Sequence, residues 1–340
     1  MPYGKAVLEA ISSLTPVSYE LVDMKCGFET YQQTGSALPE ETVNEIKKCK
    51  ASLFGAAATP SPPPFGYLPP VVEFRNKLDL WANLRPMRSV PLDVVGGRNN
   101  VDMIVVRENT ECLYAGKERY TQSSTSGKMA VAERVVSEKA SKRIARLAFE
   151  IAIARSKKRG RPGHVTIVHK ANVLRLSEGL FLDCCLDVAK EFPDIYTDHT
   201  LLDSFMYKAM AHPVDYDVVV TTNTWGNIIS NGMSPMVGGL GMVYGINYGA
   251  NHIMAEPIHG TPAHLEGKGI CNPLAMMRAA AGLADRVSPG LNLLGLFYKA
   301  VSEVVQNDKK YLTRDIGGTA TTEECAAEVM RHFRAILSQK

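Results

Sequence analysis

No stretch of these 340 residues approaches the roughly 18 consecutive apolar side chains that cross a bilayer, which excludes a membrane-spanning class. There is no basic block either. Lysine and arginine number 38 against 35 acidic residues, a formal charge of +3, so nothing electrostatic points to nucleic acid or an anionic membrane as partner. Cys26, Cys49, Cys112, Cys184, Cys185, Cys271 and Cys325 are scattered, odd in number and without a C-x-x-C, which argues against a disulfide scaffold or a zinc site. A reduced, cytoplasmic setting is therefore the expectation. The opening Met1-Pro-Tyr-Gly-Lys5 has no basic n-region, apolar core or cleavage site and reads as a helix start. G-x-G-x-x-G, P-loop and G-x-S-x-G signatures are missing, as are internal repeats.

What remains is an enzyme-sized chain, 45% hydrophobic, long enough for two domains at roughly 150 residues each. Val101–Val106, Val165–Val168 and Val218–Thr222 are near-continuous apolar, β-branched runs, as expected of strands buried on both faces. Ala130–Ser156 between them has helical spacing with a solvated basic face, so the order predicts an α/β protein with a largely parallel sheet. Six prolines in Thr59–Pro70 predict a stiff exposed loop, the polar Gly116–Lys128 a hairpin or clasp, and Gly238–Gly241 with Gly245–Gly249 a glycine-dense connection.

Three arginines, Arg75, Arg85 and Arg107, stand at the edges of apolar segments. Converging, their forked guanidiniums would bind a di- or tricarboxylate; singly, each reads more readily as a surface ion-pair residue. Arg107 and Lys170 directly follow predicted strands, where α/β proteins place functional groups, and Asn172 lies two residues beyond Lys170. An ammonium in a semi-enclosed site can serve as acid or base, with Tyr114 as its counterpart, although Tyr114 alone also fits an amphipathic boundary residue. Glu256–His264 is a compact polar run suited to wrapping a nucleotide; a metal site of His252, His259 and His264 finds little support in their spacing.

These segments resemble the β-decarboxylating dehydrogenases, the family of isocitrate, isopropylmalate, homoisocitrate and tartrate dehydrogenases. The matching stretches are Thr34–Thr42, Leu53–Ala56, Ala82–Pro86, Arg107–Tyr114, His169–Val173, Gly238–Gly241, Glu256–Thr261, Gly267–Pro273 and Asp315–Thr322, in the family's order across nearly the whole chain. Arg107-Glu-Asn-Thr-Glu-Cys-Leu-Tyr114 and His169-Lys-Ala-Asn-Val173 look most like the fungal-type homoisocitrate enzymes. The resemblance implies an isopropylmalate dehydrogenase-like α/β fold with a central mixed sheet. It implies a large domain from residues 1–80 and 238–340, and a small dimerisation domain from 81–237 with a clasp near 115–130. It further implies a homodimer with shared active sites, in which Lys170 and one aspartate serve the other subunit. Arg75, Arg85 and Arg107 match the substrate arginines, and Tyr114 and Lys170 the pair that reprotonates an enol. The cofactor segment matches His259, Gly260, Thr261, His264 and Asn272, for NAD(P) used with Mg²⁺ or Mn²⁺.

Three departures bear on function. The family's metal motif, Asn-Leu-x-Gly-Asp-Ile-x-Ser-Asp, is here Asn223-Thr-Trp-Gly-Asn-Ile-Ile-Ser-Asn231, so of three metal carboxylates only Asp203 remains, with Asn227 and Asn231 at the other two positions. Each lost carboxylate forfeits about 4 kcal/mol of attraction at 4 Å and an effective dielectric near 20. His264 replaces the aspartate that holds the adenosine ribose, an exchange that could tolerate a 2′-phosphate but cannot accept both hydroxyls, and the family's opening strand and glycine loop are expected to be missing. Pro69 replaces a hydroxyl residue ahead of Arg75, and with Phe65 and Tyr67 suggests a bulkier, less polar substrate. The expectation is a repurposed enzyme needing no cofactor, catalysing a non-redox lyase, isomerase or pericyclase-type step on a carboxylate-bearing, rather apolar small molecule, of the kind met in specialised metabolism. An NAD(P)-dependent oxidative decarboxylase of a homoisocitrate- or isopropylmalate-like acid is the alternative, and a non-catalytic regulatory subunit a further one.

Overall fold

The computed structural model describes residues 1–64, 67–92, 97–261 and 263–339. Phe65, expected to line the substrate pocket, lies outside them. Ten strands are formed: β1 (Ala51–Leu53), β2 (Ala82–Arg88), β3 (Asp102–Glu108), β4 (Glu118–Ser123), β5 (Gly127–Ala132), β6 (His164–His169), β7 (Tyr196–Leu201), β8 (Val218–Thr221), β9 (Tyr244–Tyr248) and β10 (Ile253–Pro257). Eight of them make one mixed sheet in the order β1-β10-β9-β2-β3-β8-β6-β7, flanked by helices, and β4 and β5 pair as a separate antiparallel hairpin, as Gly116–Lys128 suggested. The apolar runs read as buried strands are β3, β6 and β8, joined in parallel.

The chain forms two compact units. The first comprises Met1–Leu80, Pro86–Val101 and Met233–Lys340. Its core is helical: Val7 and Ile11 from Pro2–Leu14, Met277 and Ala281 from Leu274–Val287, Phe297 and Val301 from Leu293–Asn307, and Val329 and Phe333 from Thr322–Leu337. The last helix starts where it does because Thr321 accepts from the Glu324 amide at 3.2 Å while the Glu324 carboxylate accepts from the Thr321 amide at 2.9 Å, which satisfies two amides at the helix start. The described residues of 86–101, which the resemblance puts in the middle domain, group with this unit. Ser89 takes hydrogen bonds with Val101, and the Arg98 amide donates to the Met236 carbonyl at 2.8 Å.

The second unit comprises Trp81–Arg85 and Asp102–Gly232. Its strands are covered by helices Glu138–Arg159 and Ser177–Ala189, which bury Ile144, Phe149, Phe181 and Cys185. The first of these begins eight residues later than the spacing predicted. Ala130 belongs to β5, and Ser137 caps the helix by accepting from the Ala140 amide at 3.2 Å while its own amide and hydroxyl donate to Glu111. Gly245–Tyr248 is likewise strand β9 rather than a connection; only Gly238 and Gly239, at φ of 101° and 95°, need glycine's backbone freedom. All seven cysteines are free thiols. No helix among the described residues is long and apolar enough to cross a membrane.

Candidate functional site

β3 ends in Arg107, and the turn after it is closed by side chains. Glu108 accepts from the amides of Thr110 and Glu111, both at 2.9 Å, and burial raises its pKa above the usual carboxylate range. Cys112 sits at a φ of 68°, which sends the chain into the short turn that carries Tyr114. The Arg107 side chain is 1% exposed and runs to the helix Asn223–Met233, where Nε and Nη2 donate to Asn223 Oδ1 at 3.0 and 2.7 Å and Nη1 donates to Asn227 Oδ1 at 3.1 Å. Arg85 from β2 meets the same helix. Its Nη1 donates to Asn227 Oδ1 at 3.2 Å and to Ser230 Oγ at 2.5 Å, and its Nε to Asn83 Oδ1 at 2.7 Å. Asn227 thus holds two buried guanidiniums on one amide oxygen. Tyr114 lies against Arg107, ring centre 5.1 Å from the guanidinium carbon, and at 38% exposure keeps its hydroxyl within reach of a ligand.

A second cluster, which no motif in the sequence signals, fixes the elements around the first. Glu178, fully buried, accepts from the Arg134 guanidinium, Thr222 Oγ1 at 3.1 Å, Trp225 Nε1 at 2.9 Å and the backbone amide of Lys170 at 2.8 Å. Arg134 also lies over the Trp225 ring at 4.6 Å and donates to Thr222 Oγ1 at 2.8 Å. One carboxylate therefore ties the end of β6, where Lys170 leaves the strand, to the start of the helix bearing Asn223 and Asn227. The unusual Thr224-Trp225 pair is explained in the same way: Trp225 serves Glu178, and Thr224 Oγ1 is 3.0 Å from Cys112 Sγ. Gly226 has to be glycine, since a Cβ there would stand 2.6 Å from Arg107 Cγ.

Lys170 pairs through Nζ with Asp203 Oδ1 at 2.6 Å, a contact that lowers the Asp203 pKa. Tyr114 is thus held with Arg107 and Lys170 with Asp203, each in its own set of contacts. Asn172 is exposed in the turn beyond Lys170.

Arg75 belongs to the first unit, where it is 7% exposed and its Nη2 lies 3.4 Å from Glu256 Oε1, an oxygen that also takes Asn247 Nδ2 at 2.8 Å. Pro69 caps the helix Pro70–Lys77 that carries Arg75. Tyr67, expected at the substrate pocket, is instead buried edge-on against Phe28 and Tyr31, at 5.7 and 5.1 Å. In the matched cofactor segment, His259 Nδ1 lies 3.0 Å from the Gly260 carbonyl, while Gly260, Thr261 and His264 are exposed. Asn272 is engaged on both ends of its amide, donating to Asp315 Oδ2 at 2.9 Å and accepting from the Leu274 amide at 2.9 Å.

Comparison with known proteins identifies the family. A family model described as isocitrate/isopropylmalate dehydrogenase matches residues 1–329. The chain belongs to the isocitrate/isopropylmalate dehydrogenase family. An isocitrate/homoisocitrate dehydrogenase of Thermus thermophilus is 39% identical over 99% of this chain and 95% of its own length, and a homoisocitrate dehydrogenase of Methanocaldococcus jannaschii is 36% identical over 97% and 95%. The crystal structure of an isocitrate dehydrogenase from Methylococcus capsulatus superposes with a TM-score of 0.88 at 32% identity, covering 98% of this chain and 95% of that one. Kinship with dehydrogenases makes this an enzyme family, and every relative named here is a dehydrogenase.

Within this family the metal set of this member does not fit a divalent ion. Mg²⁺ and Mn²⁺ ask for hard, anionic oxygens. Asn227 offers a neutral amide whose oxygen already accepts from two guanidiniums, Asn231 offers another amide, and Asp203 is engaged by Lys170. The match to a ribose-binding carboxylate also fails at His264. Among the described residues, the metal-like grouping lies elsewhere, at Asp308, Glu328 and His332, where His332 Nε2 is 3.3 Å from Asp308 and Arg331 occupies Glu328 at 2.6 Å.

Proposed function

We propose that this chain binds a small di- or tricarboxylate through Arg85 and Arg107 and moves a proton at the carbon beside a ketone of the bound acid, with Tyr114 as donor and Lys170 as its acid/base partner. The reaction class is a non-redox step through an enol: tautomerisation, or a lyase, isomerase or cyclase step built on it. The observation that carries this reading is Asn227 Oδ1 shared between the two guanidiniums, at a position where relatives' motifs place an aspartate. A guanidinium pair anchors a carboxylate in bidentate geometry, and an accessible phenol beside it can deliver a proton over a hydrogen-bond distance. Lys170, whose Nζ is positioned by Asp203 Oδ1 at 2.6 Å, gives or recovers the second proton. In the homodimer that the resemblance implies, the Lys170–Asp203 pair of one subunit faces the arginine cluster of the other.

A second reading, NAD(P)-dependent oxidative decarboxylation of a homoisocitrate- or isopropylmalate-like 2-hydroxy acid, has kinship on its side more strongly than the first. The named relatives are all dehydrogenases, and Asn272 and the His259–Thr261 turn persist. The amides at 227 and 231 and the imidazole at 264 count against it.

One experiment separates the two. The protein is incubated in D₂O with 2-oxoglutarate or 2-oxoadipate and EDTA, with deuterium uptake at C3 followed by NMR, and in parallel with isocitrate, homoisocitrate or 3-isopropylmalate, Mn²⁺ and NAD(P), with reduced cofactor followed by absorbance. The first reading expects EDTA-insensitive exchange that falls by about 10²–10⁴ in Lys170→Met and Tyr114→Phe. Robust EDTA-sensitive cofactor reduction overturns it in favour of the second.

A further inference from the structure

The two amides do more than weaken a metal site. Replacing carboxylates by amides at 227 and 231 removes two negative charges, the same quantity of charge that a bound divalent cation would have offset. A site of three carboxylates with its ion and a site of one carboxylate and two amides without an ion therefore carry the same net charge.

The geometry adds a second element. Only the oxygen of an asparagine amide can accept, so the bonds from Arg85 Nη1 at 3.2 Å and Arg107 Nη1 at 3.1 Å fix which way the Asn227 amide points and use both in-plane lone pairs of Oδ1. What Asn227 has left to offer is its NH₂, a donor, which bonds an anion and repels a cation. An aspartate in this place would be a counter-ion for both guanidiniums and would compete with any carboxylate that approached them. A neutral oxygen is a weaker partner and yields to a ligand carboxylate at small cost.

We infer that the paired asparagines are a built-in charge substitute for the divalent ion, converting this site into a metal-free receptor for a di- or tricarboxylate, with Asn227 as the residue that selects the free anion over its metal chelate. This rests on the carboxylate-binding reading above and deepens it. Asp203, the remaining carboxylate, is consistent with the same conversion, since its oxygen is 2.6 Å from the Lys170 ammonium, a positive charge the protein itself supplies.

The test uses the full-length protein and isothermal titration calorimetry, with citrate, isocitrate and 3-isopropylmalate as probes, in EDTA and then in Mn²⁺. The wild type is expected to bind at least one probe in EDTA, with an affinity that Mn²⁺ leaves unchanged or lowers by taking the probe up as its chelate; Asn227→Asp/Asn231→Asp is expected to lose at least about tenfold in EDTA and recover it with Mn²⁺. Asn231→Asp alone gives the same pattern at smaller amplitude and serves if the double variant does not fold. Binding by the wild type only in the presence of Mn²⁺ overturns the charge-substitute inference and leaves the carboxylate site standing. An absence of binding to every probe in both conditions overturns the carboxylate reading itself, and this inference with it. Equal loss in EDTA and Mn²⁺ by the variants also overturns the inference, because it assigns the amides a merely structural part.

Discussion

Two sets of buried charge sit within the same unit, and they are satisfied in opposite ways. Glu178 is closed by a cation: Arg134 lies on one side, with the indole of Trp225, the hydroxyl of Thr222 and the amide of Lys170 around it. Arg85 and Arg107 are held in place by bonds to the amide oxygens of Asn83, Asn223 and Asn227 and the hydroxyl of Ser230. A carboxylate facing a guanidinium cancels its field and locks geometry. A guanidinium oriented by amides keeps its field while losing its freedom, which is what a ligand site needs. On the reading proposed above, the first set serves as scaffold and the second as receptor.

The sharpest way to break that contrast is Glu178→Ala. It strips Arg134, Trp225 Nε1, Thr222 and the Lys170 amide of their shared acceptor, a loss of about 3–5 kcal/mol read as a fall in the urea midpoint. A variant as stable as wild type would show that Glu178 is not the tie described. Next comes Arg107→Ala, which belongs to the receptor. It is expected to cost about 2–5 kcal/mol of binding to a dicarboxylate probe by calorimetry, with a smaller effect on stability than Glu178→Ala. If the order of the two effects on stability were reversed, the division into scaffold and receptor would fall. Gly226→Ala asks for less: its Cβ would meet Arg107 Cγ at 2.6 Å and Cβ at 2.8 Å, so Arg107 must shift, at about 1–3 kcal/mol in stability and with weakened carboxylate binding. Unchanged binding would mean that Arg107 does not need its present position.

The same contrast explains how much could be read from the chain. Arg85, Arg107, Tyr114, Lys170, Asp203, Asn227 and Asn231 are legible because each lies in a short run whose order is itself the signal. Strands β3, β6 and β8 are legible because burial on both faces leaves unbroken Val and Ile. Glu178 is not legible: its partners lie 8, 44 and 47 residues away, and as one acid ahead of the apolar Leu180–Cys185 it reads as the charged first turn of a helix. The start of the helix at Glu138 was missed for a related reason. Alternating β5 and the following loop carry enough Ala and Val to mimic helical spacing, and only the long-range bonds from Ser137 to Glu111 decide the boundary. Tyr67 misled because an aromatic among prolines looks like a pocket wall until Phe28 and Tyr31 are seen to cover it.

The smallest effect is one of pH, and it is shared between the two units. His252 is 5% exposed beside β10, its Nε2 2.9 Å from Ser52 Oγ, and burial lowers its pKa below the usual 6.5. His169 in the second unit is lowered by burial and by His199, 3.1 Å away. For a histidine whose folded pKa is below its unfolded one, the unfolded chain takes up the proton first as pH falls. The stability due to keeping the ring neutral is fully present above about 6.5 and is lost as pH drops from there toward the folded pKa. Thermal unfolding between pH 7.5 and 5.0 should therefore show a declining midpoint. His252→Gln keeps a hydrogen-bonding end for Ser52 and cannot titrate, so it should flatten that decline by its own share while His169 retains the rest. Should the slope be the same with and without His252, its ring is solvated enough to charge freely in the folded protein, and the buried hydrogen bond to Ser52 would have to be abandoned.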